Sequence, residues 1–163
     1  MYRTIRTGSP RRSVIVAGIT STAKRLPAPL KTLDAQCDGG LEAARVRPGF
    51  SGEAGQLAIG SDSAILIGLG EDHATPQSLR GASAKLVAAL HTMNASAAQI
   101  EITKNLAGPL AKKVAVAAQA IAEGIVLANW RQESWRGTAA RGDVASGTLV
   151  LTSKDSAARG GLR

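Results

Sequence analysis

The chain has 163 residues and a net charge of +8 at neutral pH, and 44% of its residues are hydrophobic but only 2% aromatic. This length suits one domain whose core is built from aliphatic side chains. The 18 glycines follow no period, which excludes a collagen-like or solenoid protein, and no apolar run approaches the ~20 residues of a membrane span. Cys37 is the only cysteine, so it closes no internal disulfide, and we expect a reducing, cytoplasmic location.

Residues 1–13 are predicted to be a basic leader. Arg11 and Arg12 precede the apolar run Val14–Ala17, which gives this segment a twin-arginine character. The run is short and is soon followed by Lys24 and Arg25, which is against an export signal. We therefore interpret Val14–Ala17 as the first buried strand of a domain that extends over residues 14–152.

Three short apolar runs predict strands buried on both faces, as in a covered parallel or mixed sheet. They are Val14–Ala17, Ala64–Leu69 and Gly147–Leu151. Weaker strands are predicted at Gln56–Ile59 and Ala98–Ile102. The second of these alternates polar and apolar residues, so one of its faces should contact water.

Two helices are predicted from a start signal and an apolar stripe. Thr75-Pro76 is an N-cap followed by proline at the first helical position. The stripe that follows it is Leu79, Ala82, Leu86, Leu90 and Met93. The second helix follows Gly108-Pro109, and its stripe is Leu110, Val114, Ala117, Ile121 and Ile125.

A third helix over residues 30–44 is interrupted by Gly39-Gly40, which costs about 2 kcal/mol of helix propensity relative to alanine. The order of all these elements predicts an α/β fold, a three-layer sandwich in which a mixed sheet has helices on both faces. Residues 153–163 show no periodicity and are predicted to be a flexible tail or linker.

Gly68-Leu69-Gly70 lies between a predicted strand and a predicted helix. Glycines at such a place let backbone amides approach a phosphate, or they simply form a tight turn. A full dinucleotide motif needs another glycine where His73 stands, and the neighbouring carboxylates Glu71 and Asp72 repel a phosphate. Gly68 and Gly70 are therefore a weak candidate for a phosphate-binding loop.

The positive charge is concentrated at the two ends of the chain. Residues 1–47 carry nine basic and three acidic side chains, residues 48–130 five and six, and residues 131–163 six and three. Basic ends of this kind bind nucleic acid or an acidic partner, or they only keep an alanine-rich domain soluble. The candidate nucleic-acid contacts are Arg11, Arg12, Lys24 and Arg25.

Trp130 and Trp135 flank Arg131, whose guanidinium could stack on a base. The alternative is that the two tryptophans close the end of the second helix against the sheet.

No catalytic or metal-binding residue is predicted. His73 and His91 lack neighbouring ligands, and Asp34 and Asp38 have no third converging group. Cys37 has no positioned base.

Several motifs of low individual specificity follow one another along the chain in a defined order and spacing. Leu33-Asp34 starts a helix, and Phe50-Ser-Gly-Glu-Ala-Gly55 is an aromatic-x-Gly-x-x-Gly segment. They are followed by the strand that ends at Gly68-Leu-Gly70, by Arg80 in a helix, and by Glu123-Gly124 with Trp130-Arg131. Over roughly Val14 to Leu151 this order resembles the N-terminal domain of leucyl aminopeptidases, the two-metal cytosolic type.

The resemblance implies a macro-domain-like fold that performs no chemistry of its own. In that family two divalent metals (zinc or manganese), the catalytic lysine and a bicarbonate-binding arginine belong to a C-terminal domain. The motifs of that domain do not occur in these 163 residues, so we expect no cofactor here. The family's N-terminal domains help to build a hexamer, and in some bacterial members they contribute to DNA binding.

The expected function is therefore a non-catalytic domain that acts in the assembly or regulation of an aminopeptidase. Its expected partners are a second copy or an aminopeptidase, and no membrane. The alternatives are a nucleic-acid-binding module that uses the basic ends and an ADP-ribose binder near Gly68–Gly70.

Overall fold

A computed structural model describes residues 2, 4–9, 12–61, 63–71, 75–101, 113–130 and 147–163. Among these residues one sheet is formed by β1 (Thr4–Thr7), β2 (Val14–Ile19), β3 (Leu57–Ser61), β4 (Ala64–Gly68), β5 (Ala97–Ile100) and β6 (Thr148–Thr152). The strand order is β1-β6-β5-β2-β4-β3. All neighbouring pairs are parallel except β3 and β4, so the sheet is mixed, with an antiparallel strand at one edge.

Helices cover both faces of this sheet. They are α1 (Ala28–Gln36), α2 (Gly40–Arg45), α3 (Pro76–Thr92), α4 (Val114–Asn129) and α5 (Ser156–Gly161). One hydrophobic core contains residues of α1 and α2, and the other contains residues of α3, α4 and α5. The predicted α/β sandwich with a mixed sheet is thus confirmed. None of the described helices is long and apolar enough to cross a membrane.

The central strands supply side chains to both cores, because successive residues of a strand point to opposite faces. In β2, Val14 and Val16 pack with α3 and α4, whereas Ile15 and Ala17 pack with α1 and α2. Every residue of β2 and of β4 is buried. This is why both strands read as continuous apolar runs in the sequence.

The predicted start of α3 is confirmed in detail. The Thr75 hydroxyl accepts a hydrogen bond from the Ser78 amide at 3.1 Å, and the Ser78 hydroxyl accepts one from the Thr75 amide at 2.9 Å. This reciprocal pair satisfies amides that a helix N-terminus leaves without partners. The start predicted for the next helix, Gly108-Pro109, lies outside the described residues, and α4 is described from Val114.

The helix predicted over residues 30–44 is two helices, and Leu33-Asp34 lies inside α1 instead of starting a helix. Gly39 adopts φ +78° between the two helices, which glycine does without steric cost. The Asp34 carboxylate then accepts hydrogen bonds from the amides of Leu41 at 2.8 Å and Glu42 at 3.0 Å. One side chain of α1 thus caps the first turn of α2.

Described residues near both ends of the chain pack on the domain, and the division of the chain into leader, domain and tail stays a prediction. β1 is parallel to β6, and Tyr2 before it is 7% exposed. Asn129 at the end of α4 holds the Tyr2 backbone, because its side chain donates to the Tyr2 carbonyl at 2.6 Å and accepts from the Tyr2 amide at 2.8 Å. At the other end, α5 contributes Ala158 to the core and Leu162 follows it there.

Candidate functional site

The loop over residues 50–56 closes the carboxyl ends of β2 and β4. The amides of Gly68, Leu69 and Gly70 donate to the carbonyls of Gln56, Ile19 and Gly52, each at 2.9 Å. These are the amides that a phosphate-binding loop would offer to its ligand. Because each already has a backbone partner, a phosphate would have to displace all three hydrogen bonds.

Glycine is required at this junction by close approach and by backbone conformation. A Cβ added to Gly68 would lie 2.2 Å from the Glu53 carbonyl oxygen. Gly52 and Gly70 have φ of +79° and +78°, a region that side chains disfavour. The geometry accounts for Gly68 and Gly70 as a tight junction, and their role in phosphate binding stays a prediction.

Two of the motifs noted in the sequence meet between α3 and α4. Arg80 Nε and Nη2 both lie 2.7 Å from Glu123 Oε2, and this hydrogen bond lowers the pKa of the Glu123 carboxyl. Next to this pair, Gly124 packs directly on the Arg80 backbone, where an added Cβ would lie 2.5 Å from the carbonyl oxygen. Arg80, Glu123 and Gly124 thus join the two helices α3 and α4.

The candidate nucleic-acid contacts do not form one patch. Arg12 precedes β2, whereas Lys24 and Arg25 follow its other end. The six residues of β2 span about 20 Å. These exposed side chains therefore lie beyond opposite ends of that strand. Arg11 lies outside the described residues, and nucleic-acid binding by this set stays a prediction.

The structure places the titratable residues noted in the sequence as follows. The Cys37 thiol is buried and donates to the Leu33 carbonyl at 3.3 Å, and burial raises its pKa. The His91 ring lies edge-on to the Tyr2 ring, with 6.5 Å between the centroids, and His73 lies outside the described residues. Among the described residues no group of three or more His, Cys, Asp or Glu side chains converges to hold a metal ion.

An apolar groove between β1, α4 and α5 is the feature that the sequence did not reveal. It has a volume of about 810 Å³, and its apolar walls include Ile5, Val126, Leu127, Leu151 and Leu162. Sequence reasoning missed it because two of its walls come from the segments predicted as leader and tail. The available signal was in α4, where Val126 and Leu127 are apolar although they lie off the buried stripe of that helix.

Trp130, at the C-terminal end of α4, is 66% exposed. This exposure is against the interpretation that Trp130 closes this end of the helix against the sheet. Trp135 and Arg131 lie outside the described residues.

Comparison with protein families gives a match to the cytosol aminopeptidase family, N-terminal domain, over residues 16–138. A search of curated protein sequences found no match. The fold is similar to that of a mutant tomato leucine aminopeptidase, with a TM-score of 0.65 and 21% identity over 98% of this chain and 34% of that chain.

The fold is also similar to the bottromycin maturation enzyme BotP. A complex with Mn matches with a TM-score of 0.53 and 19% identity over 92% of this chain and 28% of that chain. A second BotP structure matches with a TM-score of 0.52 and 22% identity over 92% of this chain and 30% of that chain. This chain thus spans about a third of the length of the solved structures it matches.

Proposed function

This chain belongs to the cytosol aminopeptidase family, whose N-terminal domain it matches, and from that premise we propose that it is a non-catalytic domain that acts in the assembly or regulation of an aminopeptidase. The observation that carries the proposal is the extent of the likeness. Nearly all of this chain superimposes on about a third of the tomato enzyme. A domain of this kind acts through the surfaces it presents to other parts of an enzyme or to other copies.

The closed crevice at the carboxyl ends of the strands supports a role in protein contact. Open α/β sheets commonly bind small ligands in a crevice at the carboxyl ends of their strands. Here the loop over residues 50–56 fills that position and accepts hydrogen bonds from the amides of Gly68 and Gly70. In contrast, the surface of α4 presents Val126, Leu127 and Trp130 with exposures of 54%, 68% and 66%, and large exposed apolar side chains that lie together are typical of interaction sites.

Size-exclusion chromatography with light scattering tests the proposal. The chain is run alone and mixed with a full-length aminopeptidase of this family from the same source. We expect a discrete oligomer or a mixed complex. A monomer that binds no aminopeptidase contradicts an assembly role.

A peptidase assay tests the non-catalytic part separately. We expect no hydrolysis of leucine-p-nitroanilide by the purified chain after incubation with Mn²⁺ or Zn²⁺, relative to a mock preparation. Hydrolysis that survives purification and is absent from the mock preparation overturns this part of the proposal.

Nucleic-acid binding is the main alternative, and its basis is the basic charge at the ends of the chain. It predicts that the logarithm of the binding constant falls with the logarithm of salt concentration by about 0.9 for each neutralised phosphate of B-DNA. Charge reversal at Arg11, Arg12, Lys24 and Arg25 together would abolish such binding. The opposite locations of Arg12 and Lys24 favour the assembly proposal over this one.

A further inference from the structure

We propose that the groove between β1, α4 and α5 is the site at which a second copy of this chain docks. The inference names the surface and the partner for the assembly role, and it rests on the proposed function. Its basis is a strand edge and an apolar groove that lie side by side.

The outer edge of β1 offers backbone groups for pairing. The amides of Thr4 and Gly8 donate towards β6, to the carbonyls of Gly147 at 3.4 Å and Leu151 at 3.2 Å. Backbone groups alternate along a strand, so those of Ile5 and Thr7 point away from β6. No other described strand pairs with this edge, and an edge of this kind is a template for strand addition.

The other edge of the sheet, β3, is protected against pairing. Its register shifts between Ile59 and Ser61, and the Arg47 guanidinium donates to the Ile59 carbonyl. A bulge and a charged side chain are both features that block edge-to-edge association. The register of β1 on β6 runs without a shift from Thr4 to Thr7, so β1 is the edge suited to a partner strand.

The apolar groove lies on the α4 and α5 side of β1. Two β1 strands that pair antiparallel about a twofold axis perpendicular to the sheet keep these helices of both copies on one side. The walls formed by Val126, Leu127 and Leu162 then face the same walls of the second copy. Strand pairing and burial of the apolar walls thus occur in a single arrangement.

Charge disfavours one register of this pairing. If Arg6 lay opposite Arg6 of the second copy, two like charges would be directly opposed, which destabilises a strand pair. A register centred on Thr7 avoids this contact, because it places Arg6 opposite Gly8 of the second copy and Ile5 opposite Ser9. The same register uses the outward backbone groups of Ile5 and Thr7.

The size of the groove predicts a weak dimer. It is lined by 13 residues, about half of the 20–30 residues a side that a standard interface contains. Each copy also carries a net charge of +8, so the copies repel each other at long range. We expect a dissociation constant on the order of 100 µM, and tighter association when salt screens the repulsion.

Sedimentation and light scattering of the full chain between about 5 µM and 1 mM test the inference. Leu127→Ser removes an exposed apolar wall, and Thr7→Pro removes the amide at the centre of the strand pair. We expect each substitution to weaken dimerisation at least tenfold. Val46→Ser is the matched control, because Val46 is 60% exposed at the end of α2 on the opposite face of the sheet, and it should leave dimerisation unchanged.

A chain that stays monomeric to 1 mM overturns the inference, and so does a dimer that Leu127→Ser and Thr7→Pro leave unchanged. If Thr7→Pro fails to fold, Leu127→Ser against Val46→Ser decides alone, because both positions are exposed. A monomeric chain that still binds a full-length aminopeptidase overturns the docking of a second copy in the groove but is consistent with the proposed function. A monomer that binds no aminopeptidase overturns both.

Discussion

Gly68 lies where the loop over residues 50–56 crosses the end of β4. An added Cβ would lie 2.2 Å from the Glu53 carbonyl oxygen and 2.7 Å from the Gly52 carbonyl carbon, so backbone would have to move. We expect Gly68→Ala to lower the free energy of unfolding by roughly 1–3 kcal/mol, the range of overpacking in well-packed interiors. Urea denaturation measures the change.

Gly81→Ala is the matched control for this prediction. Gly81 is inside α3, and an added Cβ has nothing within 4 Å. Alanine there should raise the free energy of unfolding by roughly 0.5–1 kcal/mol, because glycine is a poor helix former. If both substitutions shift the urea midpoint in the same direction, the close approach at Gly68 is not the cause of the change in stability.

Tyr2 gives the fold a dependence on alkaline pH. Burial raises the pKa of Tyr2 to about 12, whereas the unfolded value is about 10. Between these values the unfolded chain releases the phenol proton and the folded chain keeps it. Stability from this group is therefore complete below about pH 10 and is lost as the pH rises towards 12, by an amount on the order of 2 kcal/mol.

Tyr2→Phe isolates this contribution from that of the other groups in the chain. The variant loses the hydrogen bond that the Tyr2 hydroxyl donates to the Ala95 carbonyl, so it starts less stable. Its stability should then fall less steeply than that of the wild type between pH 9 and 11.5 in denaturant titrations. Parallel curves for the two proteins would show that the phenol does not titrate as a buried group.

At single residues the sequence shows that glycine is needed for a close approach or an unusual backbone conformation. It does not show which other segment of the chain imposes that need. The run Gly68-Leu69-Gly70 indicated either a tight turn or a phosphate loop. The deciding contact comes from Gly52 to Gln56, more than ten residues earlier, and no local pattern encodes it. The same holds for Asp34, whose carboxylate caps α2 because Gly39 reverses the chain towards it.

Between elements, the junction of α3 and α4 depends on the absence of a side chain at Gly124. An added Cβ would lie 2.5 Å from the Arg80 carbonyl oxygen and 2.8 Å from Arg80 Cα. We expect Gly124→Ala to lower Tm by roughly 4–8 °C, because separating the helices opens their shared core. Differential scanning calorimetry gives the shift.

Arg80→Met is the comparison for this junction. It removes the ion pair with Glu123, whose two side chains are 36% and 37% exposed, and exposed pairs contribute little to stability. Its Tm should stay close to that of the wild type. A larger loss for Arg80→Met than for Gly124→Ala would assign the junction to the ion pair instead.

Elements with a strong local signal were predictable, and elements that depend on distant partners were not. β2 and β4 follow from their apolar runs, and α3 follows from Thr75-Pro76 and its stripe. β1 is four residues with no apolar pattern, and it is a strand because it pairs with β6, as in Thr4 with Thr148. α5 has six residues, which is too short to show a helical period.

For the whole molecule, the strand order brings the two ends of the chain together. β1 and β6 are neighbours, and Asn129 fixes Tyr2 beside them. The groove at this place could not be predicted, because its walls come from three segments far apart in the sequence. The Arg80–Glu123–Gly124 junction was predictable as a set of motifs, but their meeting required the positions of α3 and α4.

The same arrangement makes the C-terminal segment part of the fold. An added Cβ at Gly161 would lie 2.1 Å from the Ala115 carbonyl oxygen, which shows how closely α5 approaches α4. Deletion of residues 153–163 removes Ala158 and Leu162 from the core, and the leucine alone contributes roughly 1.5–3 kcal/mol. We therefore expect the deletion to lower Tm by roughly 5–10 °C, whereas deletion of the exposed Arg163 alone should leave it unchanged. Calorimetry on the three proteins distinguishes a packed helix from the flexible tail that the sequence suggested, because only a flexible tail can be removed without a change in Tm.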